Sequence, residues 1–80
     1  MQAGDWIKQD RGEDQAYGLL IAKLKNGAFK AIVFDTAWPK AVIKPTIGWY
    51  PSPVVINETE VPEKIVQKIT GKMFLMKGRV

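Results

Sequence analysis

The chain has 80 residues, 46% of them hydrophobic, 25% charged and 10% aromatic, with a net charge of +4 and neither cysteine nor histidine. That is one domain's worth of sequence (1–80), too apolar and aromatic for a disordered chain. It excludes disulfides, thiolate or imidazole zinc sites, and Cys–His or Ser–His nucleophilic pairs.

The charge falls in blocks. Residues 1–15 and 51–63 are acidic on balance, whereas residues 16–50 set five lysines against Asp35 alone, and residues 64–80 carry five bases and no acid. Folding that gathers the basic blocks on one face would suit a polyanion. No apolar run approaches the roughly 18 residues of a membrane span. Met1–Asp5 lacks the basic start and apolar stretch of a signal peptide, so the expectation is a cytoplasmic protein with no membrane partner.

In chain order, the first predicted element is a short strand, Trp6-Ile7-Lys8, approached through Gly4-Asp5 and followed by a polar loop over Asp10–Gln15. The clearest local signal comes next. Asn26-Gly27 between two apolar stretches, Tyr17–Lys25 and Ala28–Asp35, marks a two-residue hairpin in which both central residues take positive φ. That loop fixes a register: Leu24 faces Phe29, Lys23 faces Lys30, Ala22 faces Ala31, Ile21 faces Ile32, Leu20 faces Val33 and Leu19 faces Phe34. The hairpin is then apolar on both sides at its base and amphipathic at its tip, as expected of a strongly curled sheet or of one covered by another element.

Thr36–Lys40 reads as a turn, and Ala41–Lys44 as a short strand stopped by Pro45. Thr46–Pro53 reads as an irregular loop, and Val54-Val55-Ile56 as the next strand. Beyond it, Thr59 suits a helix cap, Pro62 the first turn, and Val61, Ile65, Val66 and Ile69 an inward stripe, with Gly71 as terminator; this places a short helix near 62–70. Met73-Phe74-Leu75-Met76 then reads as a closing strand within a strand or tail over 71–80, although Val61, Ile65, Ile69, Met73 and Met76 also fit one longer helix.

Gly4-Asp5-Trp6-Ile7, Gly18-Leu19-Leu20-Ile21 and Ile32-Val33-Phe34, with the polar loop, long hairpin and late helical turn, resemble a Src-homology-3-like small barrel over residues 4–70. The resemblance is topological. It implies a mainly β fold, a small barrel of about five strands with a short C-terminal helix. Peptide-binding barrels of this class carry an Ala-Leu-Tyr-Asp-Tyr-type motif and a tandem tryptophan pair. Neither is present, so proline-peptide binding is not implied.

Two surface patches carry chemistry. The first is the hairpin lysines Lys23, Lys25 and Lys30: like charges directly opposite each other would be relieved by a phosphate or an acidic partner, or would simply guard an exposed strand tip. The second is Trp38, Trp49 and Tyr50 beside Lys40 and Lys44, a combination that stacks on bases or anchors a protein contact, unless the aromatics serve the core. Trp6 is expected in the core, and at least one of Trp38, Trp49 and Tyr50 on the surface. A third stretch, Lys72–Arg79 around the Met-Phe-Leu-Met run, suits adaptable apolar binding or a final strand. Asp10, Glu13 and Asp14 lack calcium-loop spacing and read as solvated. Asn57-Glu58-Thr59 matches a glycosylation acceptor, which carries no meaning without secretion.

The expectation is therefore a non-enzymatic binding module without catalytic residues, cofactor or metal. Its partner is nucleic acid, with Lys23, Lys25, Lys30, Lys40 and Lys44 on phosphates and Trp38, Trp49 or Tyr50 stacking. Nearly level is a protein-interaction module, an adaptor or small inhibitor meeting an acidic protein surface, with homodimerisation its simplest form. An enzyme stands third, because catalysis would have to run on carboxylates, lysine, tyrosine or threonine alone.

Overall fold

The computed structural model describes residues 1–77. Strands β1 (Trp6–Asp10), β2 (Gln15–Lys23), β3 (Phe29–Asp35), β4 (Trp38–Pro45) and β5 (Val54–Ile56) form one antiparallel sheet in the order β4-β3-β2-β1-β5. A 3-10 turn at Glu58–Glu60 and helix α1 (Glu63–Lys77) follow. The fold is mainly β, five strands with a C-terminal helix, as expected. The sheet is not closed into a barrel, and β4 and β5 are its edges.

Side chains alternate across a strand, and here both faces are apolar. On one, Trp6, Tyr17, Leu19 and Ile32 pack against Val61, Ile65 and Ile69. On the other, Ile7, Ala16, Leu20, Phe29, Ala31 and Val33 form a second cluster with Trp49 packed on it. Helix α1 covers the first face. The second is crossed by residues 46–53, which act as a strap. Its near end is tied by a reciprocal pair, Phe29 N–H donating to Thr46 Oγ1 (2.9 Å) and Thr46 N–H to the Phe29 carbonyl (2.8 Å). Its far end is held where Gln9 Nε2 donates to the Pro51 carbonyl (2.9 Å). Gln9 is itself buried, so this bond satisfies a group that would otherwise be costly to enclose.

The central hairpin departs from its expected register. Gly27 N–H donates to the Leu24 carbonyl (3.1 Å) and Leu24 N–H to the Ala28 carbonyl (2.8 Å), closing a three-residue loop over Lys25-Asn26-Gly27. Only Gly27 takes positive φ, at 86°; Asn26 instead accepts the Ala28 N–H on its side-chain oxygen (3.1 Å). The extra loop residue shifts the pairs beside the turn by one, and a bulge at Ile21 shifts the remaining pairs by two. Lys23 faces Phe29, Ala22 faces Lys30, Ile21 bulges out of the ladder, and Leu20 faces Ala31, Leu19 Ile32 and Tyr17 Phe34. Lys23 and Lys30 are therefore not opposite each other. The two-sided apolar base survives the shift.

Two further elements are longer than expected. Strand β4 begins at Trp38 and includes Pro45, so the turn is confined to Thr36-Ala37. An edge strand tolerates Pro39 and Pro45 because one side of it donates to no neighbour. Helix α1 starts from Pro62, whose carbonyl accepts the Val66 N–H (3.0 Å), while Asn57 rather than Thr59 begins the preceding turn, its N–H donating to Glu60 Oε2 (2.9 Å). Nor does α1 stop at Gly71. It runs through Met73-Phe74-Leu75-Met76, which corrects the closing strand. Met73 packs on the cluster of Ile65 and Ile69, which is reason enough for the helix to continue. The expected tail at residues 78–80 lies outside the described residues. No described helix is long and apolar enough to cross a membrane.

Candidate nucleic-acid interface

Strand β4 sets out a stripe. Its inner positions Ala41 and Ile43 are half-buried on the α1 side, where both pack against the helix cluster. The alternate positions Trp38, Lys40, Val42 and Lys44 are exposed, and Val42 and Lys44 pair with Val33 and Ala31 of the strap-side cluster. Val42 and Lys44 therefore lie on the strap face, along the sheet edge. Toward Trp38 the ladder with β3 shifts register: Trp38 pairs with Asp35, and Pro39 and Lys40 fall in the irregular stretch between.

At the Lys44 end the stripe meets the strap. The Lys44 ammonium sits 4.9 Å from the centre of the Trp49 ring, a cation–π contact. Trp49 is half-buried against the strap-side core, so its indole is committed to holding the strap and carrying Lys44. Tyr50, next in the chain, is 91% exposed, and Trp38 at the other end is 71% exposed. Trp6 is in the core, as expected.

The remaining lysines are divided. Lys30 projects on the helix face yet lines, with Lys44, Leu24, Ile43 and Pro45, an edge groove of about 260 Å³. Lys23 and Lys25 are exposed at the hairpin tip. Between that tip and the strap lies a second groove of about 400 Å³, bounded by Asn26–Phe29 and Thr46–Trp49. Lys25, Lys30 and Lys44, with Trp49 against Lys44, thus share one end of the molecule, whereas Trp38 and Lys40 lie toward the other; Tyr50 follows Trp49 toward Pro51, which Gln9 holds. The structure joins the two groups through β4 and not through the like-charge pair that the sequence suggested. In the C-terminal stretch, Phe74 and Leu75 are exposed on α1.

The electrostatics favour an anion along this edge. Among the described residues the one ion pair is Arg11 with Asp35, which leaves Lys23, Lys25, Lys30, Lys40 and Lys44 without a carboxylate partner there. Asp35, paired with Trp38 in the ladder, is the acid nearest the stripe. Partial burial pushes its carboxyl upward, but the Arg11 hydrogen bond, the Ala37 N–H and the charges of Arg11 and Lys44 outweigh this and hold it below the ordinary value. The same hydrogen bond raises Arg11. Asp10 is lowered first by the Gly12 N–H it accepts (3.0 Å), a turn contact with no link to the stripe. Among the described residues no group of three carboxylates gathers to hold a metal.

Sequence reasoning missed Gln9 and Thr46, the two side chains that pin the strap and so place Trp49 and Tyr50. Gln9 left a signal: it shares the inward side of β1 with Ile7, where a polar side chain needs a partner. Thr46 left none, since its role depends on where Phe29 lies. No protein-family model, curated protein or solved structure compared with the chain matches it.

Proposed function

We propose that the protein is a non-enzymatic binding module whose partner is nucleic acid, contacted along β4 and the adjoining strap. The observation that carries this reading is the stripe itself: exposed Trp38, Lys40 and Lys44 on alternate positions of one edge strand, ending at the Lys44–Trp49 contact beside exposed Tyr50. Lysines supply phosphate contacts and free aromatic rings supply stacking. Lys30 adds a second charge beside Lys44, and Lys23 and Lys25 extend the basic field at the hairpin tip. A binding role rather than a catalytic one is supported by a composition without histidine or cysteine and with Ser52 as the single serine. The burial of both sheet faces also supports reading the fold as an open, curled relative of the Src-homology-3-like architecture, which hosts many kinds of binding.

The test is a tryptophan-fluorescence titration with short DNA and RNA oligonucleotides at low and moderate salt. The expected result is a saturable change that weakens as salt rises. No change at low salt contradicts the reading.

A separate observation favours protein contact as a second reading. Val54 and Val55 on the β5 edge are 58% and 50% exposed, and Ile47 on the strap is exposed as well. Apolar side chains on a free strand edge suit a partner strand, a second copy being the simplest. Light scattering at high protein concentration separates the two: a dimer supports this reading and a monomer removes its simplest form.

A further inference from the structure

We infer that the nucleic acid bound along β4 is single-stranded, with bases stacked on Trp38 and Tyr50 and phosphates on Lys40 and Lys44; this rests on the nucleic-acid reading above. Three features argue for it. First, two aromatic rings near the lysines are free: Trp38 on β4 at 71% exposure, and Tyr50, next in the chain to the Trp49 that carries Lys44, at 91%. A ring so exposed offers a full face, and in a duplex every base face but the terminal ones is already covered by its neighbours. Second, the cations on β4 are carried by one edge strand, Lys40 and Lys44 two residues either side of Val42. One edge strand matches one backbone, whereas a duplex presents two. Third, the nearby acid is already engaged, since Asp35 is paired with Arg11 and its charge does not meet the incoming phosphates unscreened.

Trp49 has a different part. Its indole packs on the strap-side core and carries the Lys44 ammonium at 4.9 Å. It is a positioning residue that fixes where Lys44 and Tyr50 stand. Val42, exposed between the two lysines, gives the track an uncharged middle on which a sugar or base edge can rest.

The experiment is anisotropy with three labelled probes of equal length: a mixed-sequence single strand, its duplex, and a strand in which the bases are replaced by abasic sites. The full chain is used throughout. The single strand is expected to bind roughly tenfold or more tightly than either of the others, the range that one or two stacked bases supply. Trp38→Ala and Tyr50→Ala are each expected to weaken single-strand binding at least about fivefold, to leave the abasic strand unaffected, and to be rescued by Trp38→Phe and Tyr50→Phe. Both side chains lie outside the core, so these variants keep the fold, which circular dichroism verifies. Duplex or abasic strand binding as tightly as the single strand overturns the inference while leaving the nucleic-acid reading in place. Binding to none of the three probes at low salt overturns both.

Discussion

The Asp35 carboxylate accepts hydrogen bonds from the Arg11 guanidinium and from the Ala37 N–H, tying the loop after β1 to the turn before β4. Its pKa is held below the ordinary 3.8, so a proton binds the unfolded chain more readily than the folded one. The stabilisation is thus present in full above that ordinary value and is lost as the pH falls through the lowered one. Chemical denaturation is expected to show stability declining on acidification below about pH 4, with a shallower decline in Asp35→Asn. Because both side chains are partly solvated, Asp35→Ala should cost only about 1 kcal/mol at neutral pH. The central turn makes a larger demand on one residue. Gly27 sits at φ 86°, so Gly27→Ala should lower stability by about 1–2 kcal/mol in the same measurement. The turn also shows where single-residue reading stopped. Asn26-Gly27 correctly announced a hairpin. Whether Asn26 takes positive φ or accepts a hydrogen bond on its side chain is decided by the strands' twist and the bulge at Ile21. The longer loop moved the register by one beside the turn, which separated Lys23 from Lys30, and the bulge moved it by a second residue beyond. By contrast, the burial of Trp6 was legible from its place in an apolar strand, and so was the exposure of at least one of Trp38, Trp49 and Tyr50, of which Trp38 and Tyr50 are exposed.

At the scale of elements, every strand except β4 was placed within a few residues by alternation and turn residues. Strand β4 was read short because Pro39 and Pro45 are ordinarily turn signals; only its position at the sheet edge makes them compatible with a strand. Helix α1 was read short for a similar reason. Gly71 resembles a terminator until the Ile65–Ile69–Met73 stripe is seen docked on the sheet, which stabilises the helix on both sides of the glycine. This account makes a prediction with an unusual sign. A Cβ at position 71 meets nothing within 4 Å and the backbone there is not at positive φ, so Gly71→Ala should raise stability by about 0.5–1 kcal/mol. A helix ending at Gly71 would instead lose stability on the substitution, and thermal unfolding distinguishes the two. The elements that carry the candidate residues were only partly legible at this scale. Trp38, Lys40, Lys44, Trp49 and Tyr50 were grouped as one candidate patch, but β4 as the element that carries three of them was not foreseen.

The whole molecule is a sheet covered twice, by α1 on one face and by the strap on the other. Both coverings are held by few side chains. Ile69 is fully buried between α1 and the sheet, so Ile69→Ala should cost about 2–5 kcal/mol, a large share of the stability of a domain this small. Docking of the strap matters for the proposed interface as much as for stability, because it brings Trp49 against Lys44. The central claim is that Lys40 and Lys44 meet phosphates there. The measurement that reaches it most directly is the salt dependence of affinity for a single-stranded oligonucleotide, compared between the natural chain and a Lys40→Gln, Lys44→Gln double variant. Each phosphate contact contributes about 0.7 to the slope of log affinity against log salt on a single strand. The account predicts weaker binding in the double variant and a slope shallower by about 1.4. An unchanged slope would mean that the phosphates lie elsewhere, and would contradict the β4 interface.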